Sequence, residues 1–561
     1  MTQPALPEET DLLVVGSGVA GMTGALAAFA AGLRTVVVEK TDVLGGNTAL
    51  SGGLMWIPNN PLLVEDGVAD SAEWAHAYLD SVIDGGGDPG PASSRERRAA
   101  FISQGPKMIG FLREQGLELE RCYGYSDYYP ENPGGLPEGR SVRGATFDLR
   151  RLGPMRERLR ARQLFPGVPI HMEEVSPAGV ATRTGHGAAT AARIAGRALG
   201  GLLRGRRVDG LGASLMGQLL LALTKRGIPL YTELGLRSLV SREGRVTGAE
   251  LARPDGTTVA VRARAVLLAC GGFSHNEAMR KEYGPHPSST EWTMSNPGDT
   301  GDGITAAQAI GGAVALMDEA IWMGTGQRPD GTREMHVFDR SMPHCIVVDS
   351  SGRRFVNEAT DYSRFGRAIY ARHERVPAVP SWFVLDSRHR RRYSLGDILP
   401  GVTPRSLLGN GYLKKANTLE GLAAACGIDP AGLRDTVRRF NAMAAAGRDA
   451  DFHRGESYYD RYFSDPRVRP NPNLGAIDRP PFYAVPVYPG DVGTCGGLLT
   501  DEHARVVSTS GEAIPGVYAA GNCSATVMGR TYPGAGASIG AAAAFAYIAA
   551  NHLAGSASGS A

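Results

Sequence analysis

The strongest constraint on this chain lies within its first forty residues. A short apolar run, Asp11 to Val15, leads straight into Gly16-Ser17-Gly18-Val19-Ala20-Gly21. An alanine-rich stretch follows to Ala31, and a second apolar run, Thr35 to Val38, ends on Glu39-Lys40. Strand, glycine turn, helix and second strand form the βαβ unit that a dinucleotide site requires. Gly16 permits the tight turn, and Gly18 lets a pyrophosphate approach the backbone beside Val19 and Ala20 at the helix N-terminus. Gly21 lets the helix pack closely on the strand. Glu39 stands 18 residues beyond Gly21, where a carboxylate can accept from a ribose 2′-OH.

Further glycine-rich segments lie in two distant places. Gly45-Gly46-Asn47-Thr48-Ala49-Leu50-Ser51-Gly52-Gly53 follows the second strand, and such a run lets backbone amides crowd a flat or anionic ligand. Near the C-terminus, Tyr518-Ala519-Ala520-Gly521-Asn522 precedes Tyr532-Pro533-Gly534-Ala535-Gly536-Ala537-Ser538-Ile539-Gly540. The latter opens a final helix, whose unpaired N–H groups and positive dipole end suit an electron-rich ring edge or a developing oxyanion. Between them come Leu268-Ala269-Cys270-Gly271-Gly272-Phe273 and Thr300-Gly301-Asp302-Gly303. No second complete dinucleotide fingerprint is present, so electrons pass between the substrate and a separate acceptor, a quinone or similar molecule.

Glu39-Lys40 with Gly45-Gly46-Asn47-Thr48 at one end, and Ala519-Ala520-Gly521-Asn522 with the glycine-rich helix start at the other, resemble the flavoproteins of the fumarate reductase/succinate dehydrogenase superfamily. The resemblance covers most of the chain and implies FAD. It also implies an α/β and α+β fold, in which a Rossmann-like FAD-binding domain is built from N- and C-terminal parts, 1–318 and 490–561. An α+β substrate domain, 319–489, is inserted between them, and 150–212 is an added lid or membrane-contact segment. Ala269, Gly271, Asp302, Gly521, Asn522, Ser538 and Ile539 join Gly45, Gly46, Asn47, Thr48, Ser51, Gly52, Gly53 and the first fingerprint as cofactor-binding residues. No histidine accompanies the 45–53 run, so the FAD is expected to be held non-covalently.

Soluble fumarate reductases carry an arginine acid a few residues after an R-F-V-N-E-like sequence. Here Arg354-Phe355-Val356-Asn357-Glu358 is followed in that register by Tyr362. Arginine stays cationic, whereas tyrosine can act as a base once its phenolate is stabilised. This departure, with Asp127-Tyr128 and Met528-Gly529-Arg530-Thr531-Tyr532-Pro533-Gly534-Ala535-Gly536, is similar to the 3-ketosteroid Δ1-dehydrogenases. That resemblance implies a 3-ketosteroid substrate, whose C3 oxyanion is stabilised by the Tyr532 hydroxyl and the Gly536 N–H. Tyr362 takes the C2 proton, Tyr128 relays it, and flavin N5 accepts the C1 hydride. Tyr125 and Tyr129 flank Tyr128 closely enough to be rivals for its role.

Composition excludes some classes. The 59 basic and 57 acidic residues leave a net charge of +2, which does not indicate nucleic-acid binding. Six scattered cysteines without a C-x-x-C pair suit a reduced compartment and suggest no metal site. The acidic opening MTQPALPEET lacks a signal-peptide pattern, and the alanine-rich 541–555 segment reads as a buried helix rather than a membrane span. The expected location is cytoplasmic, either free or peripheral on the inner face of the cell membrane. Arginines 193, 197, 204, 206 and 207 fall in an acid-free segment, 188–208. Read as a helix, this segment places Arg193, Arg197 and Arg204 on one side, either as a basic surface for an anionic membrane or as a solvated helix that caps the substrate domain or meets another copy. Competing readings are a fumarate- or urocanate-reductase-like enzyme, a Δ4-dehydrogenase of saturated A-rings, and a non-catalytic flavin- or steroid-binding protein.

Overall fold

The computed structural model describes residues 5–83, 88–161 and 165–558. Residues 1–4 of the acidic opening segment and 162–164 of the 150–212 insertion lie outside the described residues.

The fingerprint strand Glu9–Val15 lies in the interior of an eight-stranded sheet, parallel to Thr35–Val38 on one side and to Thr258–Leu268 on the other. Leu12 to Val15 are buried on both faces, which explains a continuous apolar run instead of alternation. The C-terminal strand Ala513–Ala519 pairs in parallel with Thr258–Leu268, so the two ends of the chain build one Rossmann-like sheet. Helix Val19–Ala30 and the final helix Ala537–Ser558 pack against each other over this sheet. The most apolar part of the final helix is long enough to span a membrane, yet 67% of it is buried inside the protein. It is a core helix, in line with the sequence reading.

A second, antiparallel sheet carries the α+β part. Its main order is Arg333–Met335, Ala320–Gln327, Phe482–Thr494, Ser381–Leu385 and Cys345–Val348. Helix Tyr362–His373 packs against Ala320–Gln327 and Phe482–Thr494. A small sheet, Leu54–Trp56, Ser141–Gly144 and Leu119–Arg121, is tied to the start of the final helix, because Trp56 N–H donates to the Gly536 carbonyl at 3.1 Å.

The basic segment differs from its expected form. Its helix, Gly185–Leu203, ends before Arg204, Arg206 and Arg207, where Gly205 takes a left-handed φ of 60° of the kind that commonly terminates helices. Arg197 turns inward to pair with Glu174 and to donate to the Pro169 carbonyl, and Arg193 lies 3.7 Å from the same carboxylate. The arginines therefore do not form one helical stripe.

Candidate active site

One large cavity, about 850 Å³, runs between the two sheets. Every residue read as cofactor-binding borders it except Gly21 and Gly45. Gly21 does the packing expected of it, since a Cβ there would lie 1.9 Å from the Gly16 carbonyl oxygen. Gly45 instead serves the turn, with φ +109° and its N–H donated to Ser17 Oγ at 3.1 Å.

The cradle fits FAD. The Val19–Ala30 helix begins at Gly18 with no side-chain cap and no acid in its first turn, leaving its positive end open to an anionic pyrophosphate. Gly16 has φ +109° and leaves no room for a Cβ, which would meet the Ala269 oxygen at 2.3 Å. Lys40 borders the cavity while donating to Asp302 at 2.8 Å and Thr300 at 2.5 Å. Glu39 borders the cavity and is held in place there, its carboxylate accepting from Ser17 Oγ at 2.6 Å and from Thr41 N–H and Oγ at 3.0 Å each. Asp299 and Asn296, absent from the sequence reading, also border the cavity. Asn47 donates to Asp299 at 2.5 Å, and burial pushes the Asp299 carboxyl up to about 7.

Tyr128, Tyr362, Tyr532 and Gly536 come together at one part of the cavity wall. The rings of Tyr362 and Tyr532 have centroids 5.4 Å apart, and that of Tyr128 lies 5.7 Å and 5.8 Å from them. Tyr362 opens the helix Tyr362–His373, capped by Asp361, which accepts from Ser363 and Arg364 N–H at 3.0 Å and 2.9 Å. Tyr532 Oη lies 3.0 Å from Ser538 Oγ, so Ser538 orients Tyr532 as well as bordering the cavity. Gly536 has φ +92°, and a Cβ there would sit 2.2 Å from the Leu54 carbonyl oxygen. Its N–H has no protein acceptor among the described residues.

Tyr128 is placed by a buried network that the sequence reading missed. Asp127 accepts from Trp56 Nε1 at 2.7 Å and from Leu136 N–H at 3.1 Å, and it pairs with Arg140. Tyr128 N–H donates to the Pro533 carbonyl at 2.9 Å, and Tyr78 Oη donates to the same carbonyl at 2.5 Å. Of the two rivals, Tyr129 Oη is committed to Asp361 at 3.0 Å, and it does not border the cavity. Tyr125 does border it, with its ring against Tyr462 at 4.7 Å.

Burial dominates the electrostatics. It pushes the Tyr128 and Tyr362 hydroxyls well above the usual tyrosine value and raises Tyr532 in the same direction. The contact with Ser538 Oγ opposes the rise at Tyr532. The three rings pack against one another, so a charge on any one hydroxyl is felt by the other two.

The FAD binding domain family matches residues 11–539. A 3-oxosteroid 1-dehydrogenase of Mycobacterium tuberculosis is 41% identical over 98% of each chain. A 4-oxocyclohexanecarboxylate 2-dehydrogenase of Sinomonas cyclohexanicum is 34% identical, covering 98% of this chain and 93% of its own. The crystal structure of a 3-ketosteroid Δ1-dehydrogenase from Sterolibacterium denitrificans, in complex with 1,4-androstadiene-3,17-dione, superposes with a TM-score of 0.92. It is 37% identical, with 98% of this chain and 100% of that one covered.

Proposed function

We propose that this chain, which belongs to the FAD-binding family of the 3-oxosteroid 1-dehydrogenases, introduces the C1–C2 double bond into 3-ketosteroids. The observation that carries this is the convergence of Tyr128, Tyr362, Tyr532 and the Gly536 N–H on one wall of the cavity that holds the cofactor cradle. FAD, when bound, supplies the two-electron acceptor for the hydrogen that leaves C1.

The protein's own groups handle the ketone and the proton. A C2 proton is acidic only while negative charge on the C3 oxygen is stabilised. The Tyr532 hydroxyl and the free Gly536 N–H are the two donors available for that charge, each worth roughly 2.7–4 kcal/mol in the transition state. Tyr362 accepts the C2 proton, and Tyr128, whose ring packs against it with centroids 5.7 Å apart, is the relay. Tyr128 and Tyr532 are only 4% and 6% exposed, so water is largely kept from the oxyanion.

Electrons leave to a separate acceptor such as a quinone. The supporting observation is the single dinucleotide fingerprint. We place the enzyme in the cytoplasm, peripheral on the inner membrane face. Leu199, Leu202 and Leu203 are 56%, 73% and 78% exposed at the end of the Gly185–Leu203 helix, beside exposed Arg204, Arg206 and Arg207. An apolar tip flanked by cations suits an anionic lipid surface. Leu202→Ser with Leu203→Ser should abolish co-sedimentation with anionic vesicles, and unchanged sedimentation removes this contact.

The activity is tested by mixing the yellow holoenzyme anaerobically with androst-4-ene-3,17-dione. Flavin bleaching with formation of the 1,4-diene is expected. No bleaching, while fumarate reoxidises the dithionite-reduced enzyme, would overturn the assignment in favour of a fumarate-reductase-like reaction.

A further inference from the structure

The cavity wall carries a cation that the proposed desaturation does not use. Strand Ala320–Gln327 supplies Ile321 and Met323 to the cavity, and Ile321 also borders a small void shared with Tyr532. The strand therefore runs outward from the tyrosines. Its edge neighbour Arg333–Met335 pairs antiparallel with it, Met335 opposite Thr325 and Arg333 opposite Gln327. Side chains directly opposite one another share a face, and so do those two residues apart. Ile321, Met323, Met335 and Arg333 thus share the face turned to the cavity, and all four border it. The first three are apolar, and the row ends in a guanidinium.

That guanidinium is under-used. Arg333 Nη1 donates to the Thr293 carbonyl at 3.1 Å, which is its one side-chain hydrogen bond among the described residues. No carboxylate lies within 4.0 Å of it among those residues. Its remaining donors are not among the buried polar atoms, so they face the cavity or solvent. The nearby Arg328 is different, because it pairs with both Glu334 and Asp397. That one guanidinium serves two carboxylates, and Arg333 is the arginine at this end that borders the cavity and touches neither of them.

Distance selects the ligand. Gln327 lies six residues beyond Ile321 on the strand, about 20 Å at the usual rise per residue. That exceeds the length of four fused rings whose 3-ketone sits at Tyr532, so Arg333 meets a side chain on the far end of the steroid. We propose that Arg333 is a carboxylate subsite, and that the substrate class includes 3-ketosteroids whose C17 side chain ends in an acid. A guanidinium with free donors matches a carboxylate through charge-assisted hydrogen bonds.

This inference rests on the 1,2-desaturation, and the test separates the two. The holoenzyme is assayed with 3-oxopregn-4-ene-20-carboxylic acid, its methyl ester, and androst-4-ene-3,17-dione. The parent should favour the acid over the ester, and added salt should erode that preference alone. Arg333→Gln should raise KM for the acid about tenfold, the ordinary worth of a charged hydrogen bond, with kcat unchanged. The ester and the dione should stay within about twofold. Arg333→Lys should restore part of the effect. Equal change for acid and ester, no change for either, or loss of FAD from Arg333→Gln would overturn the subsite; the last would assign Arg333 to the cofactor. A parent enzyme that prefers the ester overturns it without any variant. Failure of all three steroids to bleach the flavin would instead bring down the desaturase reading, and this inference with it.

Discussion

Tyr532→Phe isolates one oxygen atom. The ring keeps its packing, since its neighbours lie 5.4 Å and 5.8 Å away through their own rings and Phe fills the same volume. Two things are lost. The first is the contact with Ser538 Oγ at 3.0 Å, a neutral buried hydrogen bond worth about 1 kcal/mol of stability. The second is one of two donors to the C3 oxygen, worth roughly 2.7–4 kcal/mol in the transition state, or about a hundred- to a thousandfold in rate. The two losses separate in different experiments. Anaerobic stopped-flow mixing at saturating steroid should show flavin bleaching slowed by that factor. FAD stoichiometry should be parental, and the urea midpoint should fall only slightly. If bleaching stays within about tenfold of the parent, the hydroxyl is not an oxyanion donor and the assignment of Tyr532 collapses. Ser538→Ala offers an internal control: it keeps the hydroxyl but loosens its aim, so its defect should be much smaller.

Other consequences can be measured in the same way. Because burial holds Tyr362 above its ordinary value of 10.0, its basic form grows with pH throughout the accessible range. The kcat/KM of the parent should therefore climb toward alkaline pH, and a flat profile would exclude Tyr362 as the base; Tyr362→Phe should bind steroid yet lose turnover by at least about a hundredfold. In Gly536→Ala, the new Cβ would press on the Leu54 oxygen at a left-handed φ, moving the helix start and its N–H. A sharp fall in bleaching rate is expected, and parental kinetics would show that this N–H is dispensable. His389 is fully buried, and its pKa is pushed down to about 4 from 6.5, so the unfolded chain binds the extra proton first. Its contribution is intact above pH 6.5 and is lost as pH falls toward 4, about 3 kcal/mol in all. Urea midpoints of His389→Gln should depend less on pH across that window than the parent's do.

The cofactor cradle was readable because its demands are local. A backbone that must turn at φ +109° or pass against another carbonyl excludes every residue but glycine, and that exclusion is written at the position itself. The choice among Tyr125, Tyr128 and Tyr129 was not local. Asp127 is anchored by Trp56, 71 residues away, and Tyr129 is claimed by Asp361, 232 residues away. Only the assembled fold turns Tyr128 toward its partners. Glu39 shows what a motif leaves out: the acid borders the cavity as its position implies, but its anchoring by Ser17 and Thr41 is visible only in the fold. The basic segment misled because charge spacing was followed past Gly205, a stop signal present in the sequence.

The pairing of Ala513–Ala519 with Thr258–Leu268 also matters while the chain is being made. Until the last tenth of the polypeptide has left the ribosome, Val266 to Leu268 present an unpaired, wholly apolar strand edge, a template for association with other chains. The C-terminal segment therefore acts as a built-in protector of its own nascent sheet. Shortened chains ending before Ala513 should accumulate as aggregates rather than as soluble, colourless protein.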